Sequence, residues 1–311
     1  MRIAVVGSGG IGGYFGGCLA RAGEAVTFLA RGEHLRAIQA RGLAVKSPHG
    51  DFTVEAPATD DPRAVGPVDL VLFSVKSYDT EAAAGAIRPL LGPETAVLTL
   101  QNGVDNEERL GRLLGTERIL GGAAFIMSVI EAPGVIAHTF GGRIIFGELD
   151  GSETPRARRI LERFAAAGIR AELSTAIGRV LWEKYLLIAA VAGMTALSRR
   201  PIGEIRACPE ARRMCRGILE ELAALAKGSG VALDPDAVDR TLGAIDRLAP
   251  GMYSSLYHDL THGKRLELEA LHGHAVRLGE RLRIPTPMTF AVYAALRPHA
   301  VAIESGPQPH G

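Results

Sequence analysis

Cysteine is scarce in this chain, with three in 311 residues, at positions 18, 208 and 215. None forms a C-x-x-C pair, so the sequence carries neither a disulfide framework nor a cysteine zinc site, and a reducing, cytoplasmic setting is the default. An excess of one charge is also missing. Thirty-five lysines and arginines against 34 acids leave +1, too little for a nucleic-acid or membrane-surface footprint. Long apolar runs are short of the mark too. Tyr185–Ser198 is uncharged for only fourteen residues, less than a bilayer requires. At the N-terminus one arginine and a brief apolar run give way to glycines, unlike a signal peptide. Four histidines at 258, 262, 272 and 274 lack an H-E-x-x-H frame, so no metal site is expected.

What is present begins at once. Met1–Val6 reads as a β-branched strand, Gly7-Ser8-Gly9-Gly10-Ile11-Gly12 is G-x-G-x-x-G, Tyr14–Ala22 can be helical, and Ala25–Ala30 is apolar again. This is the opening of a dinucleotide-binding βαβ unit. Gly7 permits the tight turn, Gly9 lets a pyrophosphate approach the backbone, and Gly12 lets the helix lie close to the sheet. The helix N-terminus offers free N–H groups and its positive dipole end. An NAD site would place an acid at the end of the second strand, yet positions 26–32 hold none and Arg31 stands there. A guanidinium suits a 2′-phosphate, so NADP(H) is the expected cofactor.

The length allows two domains. To Gly147 the strand and helix patterns alternate. Gly42–Lys46 and Phe52–Glu55 read as a hairpin, Val68–Val75 as a buried parallel strand, Thr80–Leu91 as a helix closed by Gly92-Pro93, Ala96–Leu100 as a strand and Asn106–Leu114 as a helix. Four short strands follow, at 118–121, 123–129, 135–139 and 143–146, then a helix at 154–167 and a strand at 169–174. Beyond Thr175 only helices are expected: 178–198, 209–227, 234–248, 254–281 and 287–296, with a frayed polar tail at 305–311. The fold class is therefore α/β, a Rossmann-type doubly wound sheet at 1–172 followed by an all-α domain at 173–311.

Ligands in such sheets lie outside the C-terminal strand ends. Lys76, after the fourth strand, is placed to reach cofactor phosphate or ribose. Asn102, after the fifth, is placed to reach the nicotinamide ribose or a substrate oxygen. Lys184 is the sharpest signal. Val180, Leu181, Leu187, Ile188 and Val191, at helical spacings from it, are all apolar, so it projects from a buried stripe. Burial lowers a lysine's pKa and makes it a usable general acid. Glu267 is a second candidate, placed on the long 254–281 helix twelve residues, or roughly 120°, beyond Ser255.

With those residues in view, the chain resembles the ketopantoate reductases (2-dehydropantoate 2-reductases) from Met1 to about Leu296. The resemblance rests on the Gly7–Gly12 loop, Arg31, Val75-Lys76, Gln101-Asn102-Gly103, Trp182-Glu183-Lys184, Met194–Leu197, Ser254-Ser255 with Asp259, and Glu267. It implies NADPH-dependent reduction of a 2-keto acid to a 2-hydroxy acid in pantothenate synthesis. Lys184 would protonate the developing alkoxide, Glu267 would orient substrate and lysine, Asn102 would contact cofactor and substrate, and Ser255 would contact the substrate carboxylate. The chain departs from the family where asparagines are common: Ile188, Ala192 and Ile202 stand there, which makes the pocket more apolar. Two other readings stay open. One is an NADP-dependent dehydrogenase of another hydroxy acid or an imine. The other is a non-catalytic NADP-binding redox sensor, which would need neither Lys184 nor Glu267. A small 2-keto acid is the only partner implied, and the apolar C-terminal helices are compatible with a homodimer.

Overall fold

A computed structural model describes residues 1–305, so all but the first residue of the 305–311 tail lies outside the described residues. The chain forms two compact units. One comprises Met1–Gln101 and Asn106–Ile177, the other Asn102–Asp105 and Gly178–Gly311. The division differs from the expected one in two respects: the first unit runs on to Ile177, and it gives up residues 102–105.

In the first unit, β1 (Arg2–Val6), α1 (Gly10–Arg21), β2 (Ala25–Leu29), α2 (Gly32–Arg41), β3 (Leu43–Lys46), β4 (Phe52–Val54), β5 (Ala58–Thr59), β6 (Val68–Phe73), α3 (Thr80–Ala86), β7 (Leu91–Thr99), α4 (Asn106–Leu114), β8 (Ile119–Ala132), β9 (Val135–Glu148), α5 (Pro155–Ala166) and β10 (Arg170–Leu173) follow in order. One sheet runs β4-β3-β9-β8-β7-β6-β1-β2-β5, with β10 on β9. From β5 through β2, β1, β6 and β7 to β8 every pairing is parallel. This is the doubly wound order, and its direction of winding reverses between β1 and β6. Both strands are almost wholly apolar and buried, as a sheet covered on both faces requires. Helix α1 carries glycine where it meets the sheet. A Cβ at Gly16 would lie 2.6 Å from a methyl of Val5, so the helix-weakening residue is what permits the close packing.

Two local expectations fail here. The four short strands between 118 and 146 are the two long strands β8 and β9, paired antiparallel through three register shifts. The Gly141-Gly142 pair marks an irregularity within β9, because glycine accommodates a bulge as readily as a turn. Helix α3 stops at Ala86, and β7 starts at Leu91 and runs through Gly92-Pro93. The register against β6 shifts at that point, where a proline is tolerated in a strand.

The second unit contains α6 (Ile177–Ser198), α7 (Ile202–Ala207), α8 (Pro209–Gly228), α9 (Ala237–Asp246), α10 (Ser255–Thr261), a π-helical turn at Glu269–Gly273, α11 (His274–Leu282) and α12 (Pro287–Ser305). The short α7 was not expected, and α12 continues past Pro298. By length and composition α6 could cross a membrane, but 72% of its apolar window is buried within the protein. Its side chains Trp182, Tyr185, Leu186 and Ala189–Ala192 build one core with Ile218, Leu222, Leu271 and Val292.

The continuous helix expected over 254–281 is broken. Gly263 takes φ +63°, the Lys264 N–H donates to the Asp259 carbonyl at 2.8 Å, and the Gly263 N–H donates to that of Leu260 at 3.3 Å. This is a Schellman stop with glycine in the left-handed position. Residues 264–267 are not helical. Glu267 therefore lies in a linker, and the angle of about 120° to Ser255 derived from an ideal helix does not apply.

Candidate active site

The glycine loop of the first unit sits at the reversal point between β1 and β6. Gly7 has φ +90°, and a Cβ there would lie 2.6 Å from the Val75 nitrogen. A Cβ at Gly12 would lie 2.3 Å from the Gly7 carbonyl oxygen and 3.0 Å from Ser74 Oγ. At Gly9 the corresponding position has nothing within 4 Å. The loop is thus walled at two glycines and open at the third. Gly9 caps α1 without any side-chain hydrogen bond, so the N-terminal amides keep their donor capacity. Ser74 Oγ, just beyond β6, is buried and has no hydrogen-bond partner among the described residues. An orphaned hydroxyl beside an uncapped helix N-terminus suits an anionic dinucleotide.

Among the loop residues, Ser8 is buried and its Oγ donates to the Leu29 carbonyl at 2.9 Å. Gly10 packs under the backbone of Ser128, whose carbonyl oxygen would be 2.0 Å from a Cβ. Ile11 is half-buried and packs on the sheet core. Arg31 follows β2, is exposed and has extended backbone (φ −136°, ψ 161°). Among the described residues no ion pair engages its guanidinium. Lys76 is half-buried in the bend after β6. That bend is held by Gln101, whose Nε2 donates to the Val75 carbonyl and to Thr80 Oγ1, both at 2.9 Å. The Gln101-Asn102-Gly103 motif does not itself disclose this supporting role, because the partners of Gln101 lie 21 and 26 residues away.

In the second unit Lys184 is 8% exposed and Glu267 is 7% exposed. Burying an ionisable group is costly unless it has a partner, and both groups are engaged. Their supports are visible in the backbone. Tyr185 Oη donates to the Leu271 carbonyl at 2.7 Å. The Leu271 N–H in turn donates to the Glu267 carbonyl at 3.1 Å. One turn along α6, the fully buried His272 ring lies 3.0 Å from the Ala189 carbonyl. Burial pushes its pKa down to about 4, the carbonyl contact opposing that shift, so the ring is neutral and its Nε2–H is the donor. A Cβ at Gly193 would lie 2.6 Å from that nitrogen. The π-helical turn is therefore bonded to α6 through two adjacent residues, Leu271 and His272, and π-helical turns commonly accompany functional sites. Sequence periodicity could not reveal this clamp, because its partners are more than 80 residues apart.

Glu183, beside Lys184, points elsewhere and joins Arg179 and Arg240 at 3.2 and 2.9 Å. Ser255 is exposed at the first position of α10. Its neighbour Ser254 is the capping residue, accepting from the Tyr257 N–H at 3.1 Å and from Thr195 Oγ1 at 2.8 Å. Asn102 belongs to the second unit with its neighbours, since Val104 packs on that unit's core and Asp105 lies 3.5 Å from His274 Nδ1. The structure thus collects Asn102, Lys184, Ser255 and Glu267 in one unit, and the glycine loop, Arg31 and Lys76 in the other.

A doubly wound sheet with an open glycine loop, followed by a helical unit that buries a lysine and a glutamate, has the architecture of a dinucleotide-dependent oxidoreductase. Comparison with known proteins makes the class specific. Residues 3–151 match the family model "Ketopantoate reductase PanE/ApbA" and residues 176–300 match "Ketopantoate reductase PanE/ApbA C terminal". The uncharacterized oxidoreductase YkpB of Bacillus subtilis is 33% identical over 96% of this chain and 98% of its own. The 2-dehydropantoate 2-reductase of Halobacterium salinarum is 33% identical over 93% and 95%. A crystal structure of a PanE/ApbA family ketopantoate reductase from Ralstonia eutropha superposes with a TM-score of 0.91, at 35% identity over 98% of this chain and all of that one. The chain belongs to the ketopantoate reductase family and is an oxidoreductase of that family.

Proposed function

We propose that this enzyme reduces 2-dehydropantoate, or a closely related 2-keto acid, to the 2-hydroxy acid with NADPH. The observation that carries the reading is the burial of Lys184 and Glu267 together in the helical unit. Relatives named 2-dehydropantoate 2-reductase support it.

The glycine loop and the α1 N-terminus would hold the pyrophosphate, Lys76 the phosphate or ribose, and Arg31 the 2′-phosphate, for which an exposed guanidinium without an ion pair is suited. The bound dinucleotide supplies the hydride that the keto carbon receives. Lys184 gives its proton to the carbonyl oxygen as negative charge develops there, and its ammonium stabilises that charge in a site shielded from water. Glu267 orients the lysine and the substrate. Asn102 contacts cofactor and substrate, and Ser255 contacts the substrate carboxylate. Ala192 and Ile202 are packed into the hydrophobic core and Ile188 is half-buried. With no amide at those positions, the pocket favours a 2-keto acid that is bulkier or less hydroxylated. The enzyme would work in the cytoplasm, its 2-keto acid being the only partner the chemistry requires.

Loss of NADPH absorbance with purified protein tests this, using ketopantoate beside branched and unbranched 2-keto acids, with NADH as control. Turnover confined to 2-keto acids and NADPH is expected. Silence across the panel with NADPH bound would overturn it in favour of a sensor or an imine reductase.

A further inference from the structure

Building on the dinucleotide reading above, we propose that His34 is the positioning residue that aims the amide of Gly9 at the dinucleotide's phosphates. His34 stands in the first turns of α2, half-buried, and its ring bridges two backbone groups that are 126 residues apart in sequence. The Gly134 N–H donates to Nδ1 at 3.0 Å, and Nε2 lies 2.8 Å from the Ser8 carbonyl oxygen. A ring nitrogen that accepts a hydrogen bond carries no proton, so the proton is on Nε2 and is donated to Ser8. Burial holds the ring's pKa below its ordinary value and so favours this neutral form.

The consequence follows from peptide geometry. No peptide bond in the described chain is cis, and in a planar trans peptide the carbonyl and the N–H point in opposite directions. Fixing the Ser8 carbonyl on His34 therefore turns the Gly9 N–H away from α2. The side chain of Ser8 is already committed to the Leu29 carbonyl, so the direction of this peptide is set by His34. Gly9 is also the loop glycine beside which no atom lies within 4 Å of a Cβ position. The second anchor of the ring is itself held. Gly134 has φ +78°, and a Cβ there would lie 3.0 Å from the Cβ of Ala37, one turn along α2. The turn joining β8 and β9, the helix α2 and the phosphate loop are thus tied through one imidazole. The sequence offered no signal for it, since the histidine lies outside the G-x-G-x-x-G fingerprint.

The test is calorimetric titration of the full chain with NADPH, and with NADH, for the wild type, His34→Ala and His34→Gln, alongside kcat, KM and thermal unfolding. His34→Ala should weaken dinucleotide binding about tenfold, the scale of one lost buried hydrogen bond. Its kcat at saturating dinucleotide should stay within about twofold, with a small change in Tm. His34→Gln, whose amide N–H can donate to the Ser8 carbonyl, should recover most of the affinity. Unchanged affinity in His34→Ala would overturn the proposal. So would a joint fall in kcat, affinity and Tm that glutamine does not rescue, because that pattern marks a general folding contribution. A wild type that binds neither dinucleotide would remove the dinucleotide reading itself, and the assignment of His34 with it.

Discussion

The two units build their candidate sites from different materials. In the first, the proposed pyrophosphate site is mostly backbone: the loop around Gly7, Gly9 and Gly12, with the uncapped start of α1. His34 holds that loop through the Ser8 carbonyl, and Gln101 holds the bend after β6 beside it. In the second, the proposed chemistry rests on side chains, Lys184 and Glu267, and the surrounding segments are tied by Tyr185 on the Leu271 carbonyl and His272 on the Ala189 carbonyl. A backbone site needs the absence of side chains and tolerates no added Cβ. A side-chain site needs two ionisable groups kept away from water and is sensitive to whatever holds their helix segments together. Affinity for the dinucleotide should therefore depend on the first unit and the rate of the chemical step on the second.

Lys184→Ala gives the largest separation between them. Its kcat should fall by about a thousandfold or more, the range lost with a general acid, while calorimetric NADPH affinity stays within about threefold. Comparable losses in both quantities would merge the two sites into one. Next is the clamp of the second unit. Burial pushes the pKa of His272 down to about 4 from its ordinary 6.5, so between these values the unfolded chain binds more protons than the native one. Its contribution is complete above pH 6.5 and is lost as pH falls toward 4, amounting to about 3 kcal/mol at one pKa unit per 1.36 kcal/mol. Urea melts at pH 7 and pH 4 should show this loss, and His272→Gln should flatten it. A pH dependence unaltered by the substitution would assign the effect to other groups.

Gly12→Ala probes the first unit. Its Cβ would stand 2.3 Å from the Gly7 carbonyl oxygen, and overpacking of that kind costs about 1–3 kcal/mol. Titration should show NADPH bound about ten- to a hundredfold more weakly, with Tm lowered and the residual kcat at saturation largely kept. Smallest is Arg31→Ala, which should raise the KM for NADPH about tenfold through loss of a charge-assisted contact and leave the KM for NADH where it was. Equal changes for both cofactors would take Arg31 out of the 2′-phosphate site.

Legibility in the sequence followed chain distance. The glycine loop, its strand and helix and Arg31 lie within 31 residues, and the geometry they adopt is set by local backbone chemistry, so the βαβ opening was readable. So was the burial of Lys184, because its apolar neighbours fall at helical spacing on one helix. The linker that holds Glu267 was misread as helix: the run of apolar and charged residues keeps a helical rhythm through Gly263, and one glycine in the left-handed conformation stops it. Transfer of residues 102–105 to the second unit was also hidden, since nothing in Gln101-Asn102-Gly103 distinguishes a strand-end turn from a segment that packs with a distant core.

By itself, then, the sequence determined the doubly wound start, the helical second half, the cofactor loop and the lysine on the apolar face, because each depends on residues a few positions apart. Only the tertiary structure decided that His34 would hold the Ser8 carbonyl, that His272 and Tyr185 would bind the π-helical turn to α6, and that Asn102 would share a unit with Lys184. Those contacts join segments tens of residues apart, and their formation depends on packing that no local pattern encodes.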